Sequence, residues 1–161
     1  MFGLGKKKVL VSDESFYAPV TGEIVALENV ADPVFAGKMM GEGFAIEPTV
    51  GQIVAPVSGK VTMIQGHAIG IKREDGLEIL LHLGIDTVSL AGAPFNLDVL
   101  IGQELQGGEQ IGTADWRQVE AAGLQKTTLV IVTNSDALDS LEIKSGAIEA
   151  GELIGSAKAK G

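Results

Sequence analysis

Ala18–Pro19–Val20–Thr21–Gly22–Glu23–Ile24–Val25 returns thirty-seven residues later as Ala55–Pro56–Val57–Ser58–Gly59–Lys60–Val61–Thr62. Near the other end, Gly108–Glu109–Gln110–Ile111–Gly112–Thr113–Ala114 returns forty-three residues later as Gly151–Glu152–Leu153–Ile154–Gly155–Ser156–Ala157. Each copy is a turn followed by a short aliphatic or β-branched segment, and self-similarity at a fixed spacing marks duplicated supersecondary units. Two duplicated turn–strand modules predict an all-β, single-domain sandwich or flattened barrel with a duplicated hairpin motif and a few short helical turns.

The composition agrees with that reading. Glycine occurs 22 times in 161 residues, and helix interiors disfavour it, so the chain is rich in turns between short strands. Hydrophobic residues make up 45% but aromatics only 4%, so the core is aliphatic. No linker or shift in composition divides the chain. Residues 1–16 read as a flexible N-terminal tail and residues 17–161 as the domain. Further strands are expected at Gln52–Ala55, Lys60–Ile64, His67–Lys72, Leu77–Ile85 and Thr127–Thr133, the last central because it is continuously apolar. Short helices are expected at Asp32–Met39, Pro94–Leu97 and Trp116–Ala122, the last capped by Asp115, with another helical turn at Leu138–Leu141.

Charge and residue usage narrow the function. A formal charge of −9 repels phosphate backbones, which disfavours nucleic acid as a partner and suits a basic protein. With no cysteine, disulfides, thiol catalysis and cysteine-based metal sites are excluded. No apolar run approaches the ~20 residues needed to cross a bilayer, and the start lacks the apolar stretch of a signal peptide. The chain reads as cytoplasmic. Phe2, Leu4 and Lys6–Lys8 give the tail weak contact with an anionic membrane at most.

Two histidines are present, His67 and His82, flanking a predicted hairpin. If Arg73–Gly76 form a four-residue turn, the histidines face each other directly. If Asp75–Gly76 form a two-residue turn, His67 faces Gly84 and His82 is its diagonal neighbour. Both registers place the rings on one face. Along the second strand Ile79, Leu81, Leu83 and Ile85 point to the core, while Leu80, His82, Gly84 and Asp86 point the other way. Gly84 leaves room for a partner to approach His82, which makes it an expected docking residue, and can offer its carbonyl to orient the ring. Paired imidazoles suit acid–base work, metal binding, or a nucleophile supported by a second ring that donates to developing charge. Phosphoryl transfer fits the last arrangement, because it needs mainly alignment and charge stabilisation.

The string Gly76–Leu77–Glu78–Ile79–Leu80–Leu81–His82–Leu83–Gly84–Ile85–Asp86–Thr87–Val88 resembles the active-site motif of the glucose-type IIA family, which relays phosphoryl groups in the phosphoenolpyruvate-dependent sugar phosphotransferase system. The resemblance extends to Ala18–Gly22, Asp32–Ala36, Ala45–Pro48, Val54–Gly59 and His67–Ile69, and so covers most of the chain from about residue 17. It implies a β-sandwich phosphotransferase in which His82 is phosphorylated through Nε2 and His67 supports the phosphoryl group without carrying it. It also implies acceptance from the histidine-containing phosphocarrier protein and donation to a cysteine on the IIB domain of a sugar permease; a monomer is our own expectation. Regulatory targets that read the phosphorylation state are a further family expectation. Val34, Phe35, Leu80, Leu83 and Val88 match apolar positions of the docking depression, and Asp32 and Asp86 match acidic ones. One departure is Gln65, where the family often has Thr. The resemblance implies no obligatory cofactor, although His67 and His82 can serve as zinc ligands when a partner adds a carboxylate.

Three rival readings remain at this point. A zinc hydrolase of related β fold needs a third protein ligand, for which Asp86 is the candidate. A biotinyl or lipoyl carrier would use Lys38 of Lys38–Met39–Met40, although a surface lysine beside core methionines reads better. A non-catalytic regulatory binding protein is the third.

Overall fold

The computed structural model describes residues 13–161. The expected tail therefore lies largely outside the described residues, as does the membrane contact expected of Phe2, Leu4 and Lys6–Lys8. Within them, Ser15–Tyr17 already forms the first strand, β1, and Phe16 is fully buried, so ordered structure begins ahead of residue 17. There follow β2 (Gly22–Ala26), helix α1 (Pro33–Ala36), β3 (Glu42–Pro48), β4 (Gln52–Val54), β5 (Gly59–Gln65), β6 (Ala68–Lys72) and β7 (Glu78–Leu83). The second half holds β8 (Phe95–Leu97), β9 (Glu104–Leu105), β10 (Gln110–Ala114), helix α2 (Trp116–Ala121), β11 (Thr128–Val132), β12 (Leu138–Ile143), β13 (Gly146–Ile148) and β14 (Leu153–Ala159).

Eight strands form one sheet in the order β13-β2-β3-β11-β7-β6-β5-β9, and two three-stranded sheets, β1-β14-β12 and β4-β10-β8, complete the sandwich. The larger core lies between them: Ile69, Ile79, Leu81 and Val130 of the large sheet meet Phe16, Ile53, Ile111, Ile154 and Ala157 of the small ones. A smaller apolar cluster covers the opposite face of the large sheet, where Leu27, Val30 and Phe35 pack on Ala45, Ala68, Leu80, Leu129 and Ile131.

The repeats meet as equivalent pairs. Ala18 N–H donates to Glu152 O and Gly151 N–H to Ala18 O; Ala55 N–H donates to Glu109 O and Gly108 N–H to Ala55 O, all at 2.8 Å. Each copy of the first module is thus joined to a copy of the second by the same pair of bonds. The sequence duplication is a structural pseudo-symmetry.

Two predicted helical segments are strands. Phe95–Leu97 pairs with β10, and Leu138–Ile143 pairs with β14. Both are short segments with apolar residues near their ends, which periodicity cannot assign and tertiary pairing decides. Helix α1 stops at Ala36 instead of Met39, whereas α2 starts as expected, with Asp115 Oδ1 accepting from Arg117 N–H at 3.1 Å. Strand β3, inside the large sheet, lacks a sequence signal because Gly41, Gly43 and Pro48 read as breakers.

Candidate functional site

Strand β7 lies between β11 and β6, and its alternation divides the two cores. Ile79, Leu81 and Leu83 enter the larger one, while Leu80 joins the smaller cluster on the face that bears His82. Ile85, expected to follow the first set, sits in the smaller cluster instead. Alternation ends at Gly84 (φ +78) and Asp86 (φ 62), whose left-handed backbone turns the chain.

The hairpin has neither expected register. Ala68 faces His82 and Lys72 faces Glu78, and Arg73 N–H closes the loop on Leu77 O at 2.8 Å, leaving three residues at the tip. A residue at position 67 continuing that strand would point away from His82. His67 is free of the alternation because Gly66–His67 is the two-residue turn between β5 and β6. The ring centroids of His67 and His82 stand 4.7 Å apart, inclined at 78°. The juxtaposition expected from sequence is present, produced by a turn and not by strand pairing.

His82 Nδ1 lies 2.7 Å from the carbonyl oxygen of Gly84. A carbonyl only accepts, so Nδ1 carries the proton and Nε2 keeps its lone pair. Burial pushes His82 below the ordinary histidine value; the Gly84 bond opposes this, the His67 ring adds to it, and Asp32 and Asp86 oppose it. Burial likewise lowers His67. Both rings are therefore neutral at pH 7, which suits a nitrogen nucleophile beside an N–H donor.

Helix α1 brings the next residues. Asp32 caps it, with Oδ1 accepting from Val34 N–H at 2.8 Å, and Pro33 occupies the first helical position. This seats the Phe35 ring 5.2 Å from that of His82 and leaves Val34 42% exposed. Phe35 is buried against the His82 ring, whereas Val34, Asp86 and Val88 are exposed, Val88 by 64%. Leu80 is buried.

Two expected docking residues are corrected. Leu83 is 0% exposed in the larger core, on the face away from His82, and Gly84 is buried. Gly84 makes room for the protein itself: an added Cβ would lie 2.5 Å from Thr87 Cγ2 and 3.0 Å from Gln125 O. Gln65 is exposed, and no hydrogen bond links it to either histidine. Sequence reasoning missed Met39, 77% exposed and expected to be core, together with Met40 and Ile64. Ile64 lies on β5, which leads into the turn that carries His67, and Met39 and Met40 follow α1, which ends at Ala36. Lys38 follows α1, paired with Glu42 at 3.3 Å, and sits at no hairpin tip.

Among the described residues no cluster of three His, Asp or Glu side chains could hold a metal, so the third ligand a zinc hydrolase needs is not assembled around the two rings. The cleft of about 660 Å³ between β2–β3 and β12 contains neither histidine. His67 is buried and His82 half-buried, with the exposed Val34 and Val88 on neighbouring segments of the chain.

The family model describing the phosphoenolpyruvate-dependent sugar phosphotransferase system, EIIA 1, matches residues 14–138. The glucose-specific EIICBA component of Streptococcus pneumoniae is 50% identical over 140 residues, which cover 85% of this chain and 19% of that protein. This chain thus spans about a fifth of that relative. The glucose-specific EIIA component of Bacillus cereus is 40% identical over 91% of this chain and 88% of its own length. Among solved structures, the glucose permease IIA from Mycoplasma capricolum superposes with a TM-score of 0.82 at 39% identity, covering 88% of this chain and 93% of that one.

Proposed function

Because the chain belongs to the EIIA 1 family of the phosphoenolpyruvate-dependent sugar phosphotransferase system, we propose that it takes a phosphoryl group onto His82 Nε2 from the histidine phosphocarrier and gives it to the IIB domain of a glucose-type permease. Membership makes it a phosphotransferase and phosphoryl carrier. The observation that carries the assignment of roles is the pairing of His82 Nδ1 with Gly84 O beside the His67 ring.

In the accepting step the His82 Nε2 lone pair attacks phosphorus, an N–P bond forms, and the donor's N–P bond breaks in line, its electrons returning to the donor imidazole. His82 keeps its Nδ1 proton, hydrogen-bonded to Gly84 O, throughout, so the ring accepts the group without rotating. His67 is close enough to donate an N–H to a phosphoryl oxygen. In the donating step a thiolate of the IIB domain attacks phosphorus and His82 Nε2 leaves as neutral imidazole. Val34, Val88, Leu80 and Phe35 supply the apolar docking depression, and Asp32 and Asp86 face a basic partner. The carrier acts as a cytoplasmic monomer. Among the described residues no helix is long and apolar enough to cross a membrane. His67 and His82 offer two nitrogen ligands to zinc, with a partner carboxylate as the third, and regulatory partners that read the phosphorylation state belong to the same proposal.

The test is intact mass after incubation with phosphoenolpyruvate, enzyme I and the phosphocarrier. Wild type gains one acid-labile phosphoryl group and His82→Gln gains none. A gain in both proteins would move the acceptor elsewhere, and none in either would leave a binding protein.

A further inference from the structure

We propose that Gly66 and Gly92 position His67: their backbones touch, and this contact fixes where the turn bearing His67 stands relative to His82. The proposal rests on the carrier reading above.

A Cβ added to Gly66 would lie 2.7 Å from Gly92 Cα and 3.0 Å from Gly92 N, and one added to Gly92 would lie 3.1 Å from Gly66 Cα. Backbones approach this closely where neither residue carries a side chain. Gly66 does not have a left-handed φ, so glycine supplies room there and not conformational freedom. From the other side, Leu83 N–H donates to His67 O at 2.8 Å. Turn 66–67 is thus held between β7 and the loop containing Gly92. Among the described residues no hydrogen bond orients the His67 ring, so its location follows from the backbone of the turn.

The loop that presses on Gly66 is the end of the segment that orients His82. Gly84 O accepts a hydrogen bond from His82 Nδ1–H, the chain turns at Asp86, forms a 3₁₀ turn over Thr87–Leu90, and reaches Ala91 (φ 53) and Gly92 (φ 81). Buried Thr87 ties this segment down by donating Oγ1–H to Leu83 O. One stretch from Gly84 to Gly92 therefore sets both imidazoles, His82 at its start and His67 at its finish. Catalysis by alignment is sensitive to displacements of this order.

The experiment compares full-length wild type, Gly66→Ala and Gly102→Ala. Gly102 has a positive φ of +87 but nothing within 4 Å of an added Cβ, so it controls for general destabilisation. Imidazole ¹H–¹⁵N spectra report ring environment, and the two half-reactions are timed separately. In Gly66→Ala the His67 signals shift and donation to the IIB domain slows roughly ten- to hundredfold, while acceptance changes less than about threefold. Gly102→Ala alters neither. Unmoved His67 signals in folded Gly66→Ala would overturn the proposal, as would equal slowing of both half-reactions or the same behaviour from Gly102→Ala. If Gly66→Ala does not fold, Gly92→Ala meets the same contact at 3.1 Å and takes its place with the same readouts. A wild type that accepts no phosphoryl group overturns the carrier reading, and the spectra then decide the positioning claim alone.

Discussion

The carbonyl oxygen of Gly84 stands 2.7 Å from His82 Nδ1, and Gly84 reaches that position with φ +78 and Thr87 packed where a Cβ would be. Gly84→Ala combines a left-handed backbone with a steric clash, so it should cost about 1–3 kcal/mol of stability. It should also slow phosphorylation of the folded fraction by at least about tenfold, because relieving the clash displaces the carbonyl that selects the ring's tautomer. Thermal unfolding and the rate of mass gain, measured well below the transition, separate the two effects. A variant that unfolds earlier yet accepts at the wild-type rate would remove Gly84 from the chemistry.

Acidification should weaken the fold through the same rings. Burial holds His67 and His82 below the ordinary 6.5 in the native state. As pH falls through 6.5 the unfolded chain takes up protons that the native rings refuse. Their contribution is thus complete above that value and lost on the way down to the depressed native ones. Urea midpoints between about pH 8 and about pH 5 should fall more for wild type than for a His67→Gln/His82→Gln variant. Acceptance by His82 should persist below pH 6.5, because Nε2 is still unprotonated there. An acceptance rate that halves at the ordinary histidine value would contradict the buried, neutral ring.

Much of this site is legible in the chain, and the exceptions have definite causes. The repeats at Ala18 and Ala55 carry the fold class because each is a complete turn–strand unit. His82 and its glycine are legible because their spacing is local. The hairpin register is not, because Arg73–Gly76 supports more than one loop and the three-residue form is selected by pairing along β6 and β7. The burial of Leu83 follows from alternation, which assigns it to the core, while resemblance placed it in the docking depression; the local physics is right. The contact between Gly66 and Gly92 joins two loops 26 positions apart and leaves no local pattern at all.

Arg73 should be a point of fragility. Its side chain is 1% exposed, with Nη2 2.5 Å from Asp75 Oδ2 and Nε 3.1 Å from Oδ1, and it donates to Ala157 O at 2.9 Å. These bonds fasten the tip of the histidine hairpin to β14. Asp75→Ala leaves a buried guanidinium uncompensated and should cost about 2–4 kcal/mol, discounted because Asp75 is partly exposed. Arg73→Met added to Asp75→Ala removes the stranded charge and should recover part of that loss. Urea denaturation of the two single variants and the double one checks the coupling. Additive losses would show that the pair is incidental.

Val88 and Leu83 lie close in sequence yet should fail in opposite ways. Val88 is 64% exposed, so Val88→Asp should leave stability within about 0.5 kcal/mol. Placing a charge in an apolar docking patch should nonetheless raise KM for the phosphocarrier by roughly tenfold or more. Leu83 is fully enclosed between the sheets, and Leu83→Ala should cost about 2–5 kcal/mol by opening a cavity there. Because its side chain faces away from His82, KM of the remaining folded protein should barely move. Paired stability and steady-state measurements on the two variants decide the matter. A raised KM for folded Leu83→Ala would return that residue to the docking face, and an unchanged KM for Val88→Asp would mean that partners approach His82 from another side.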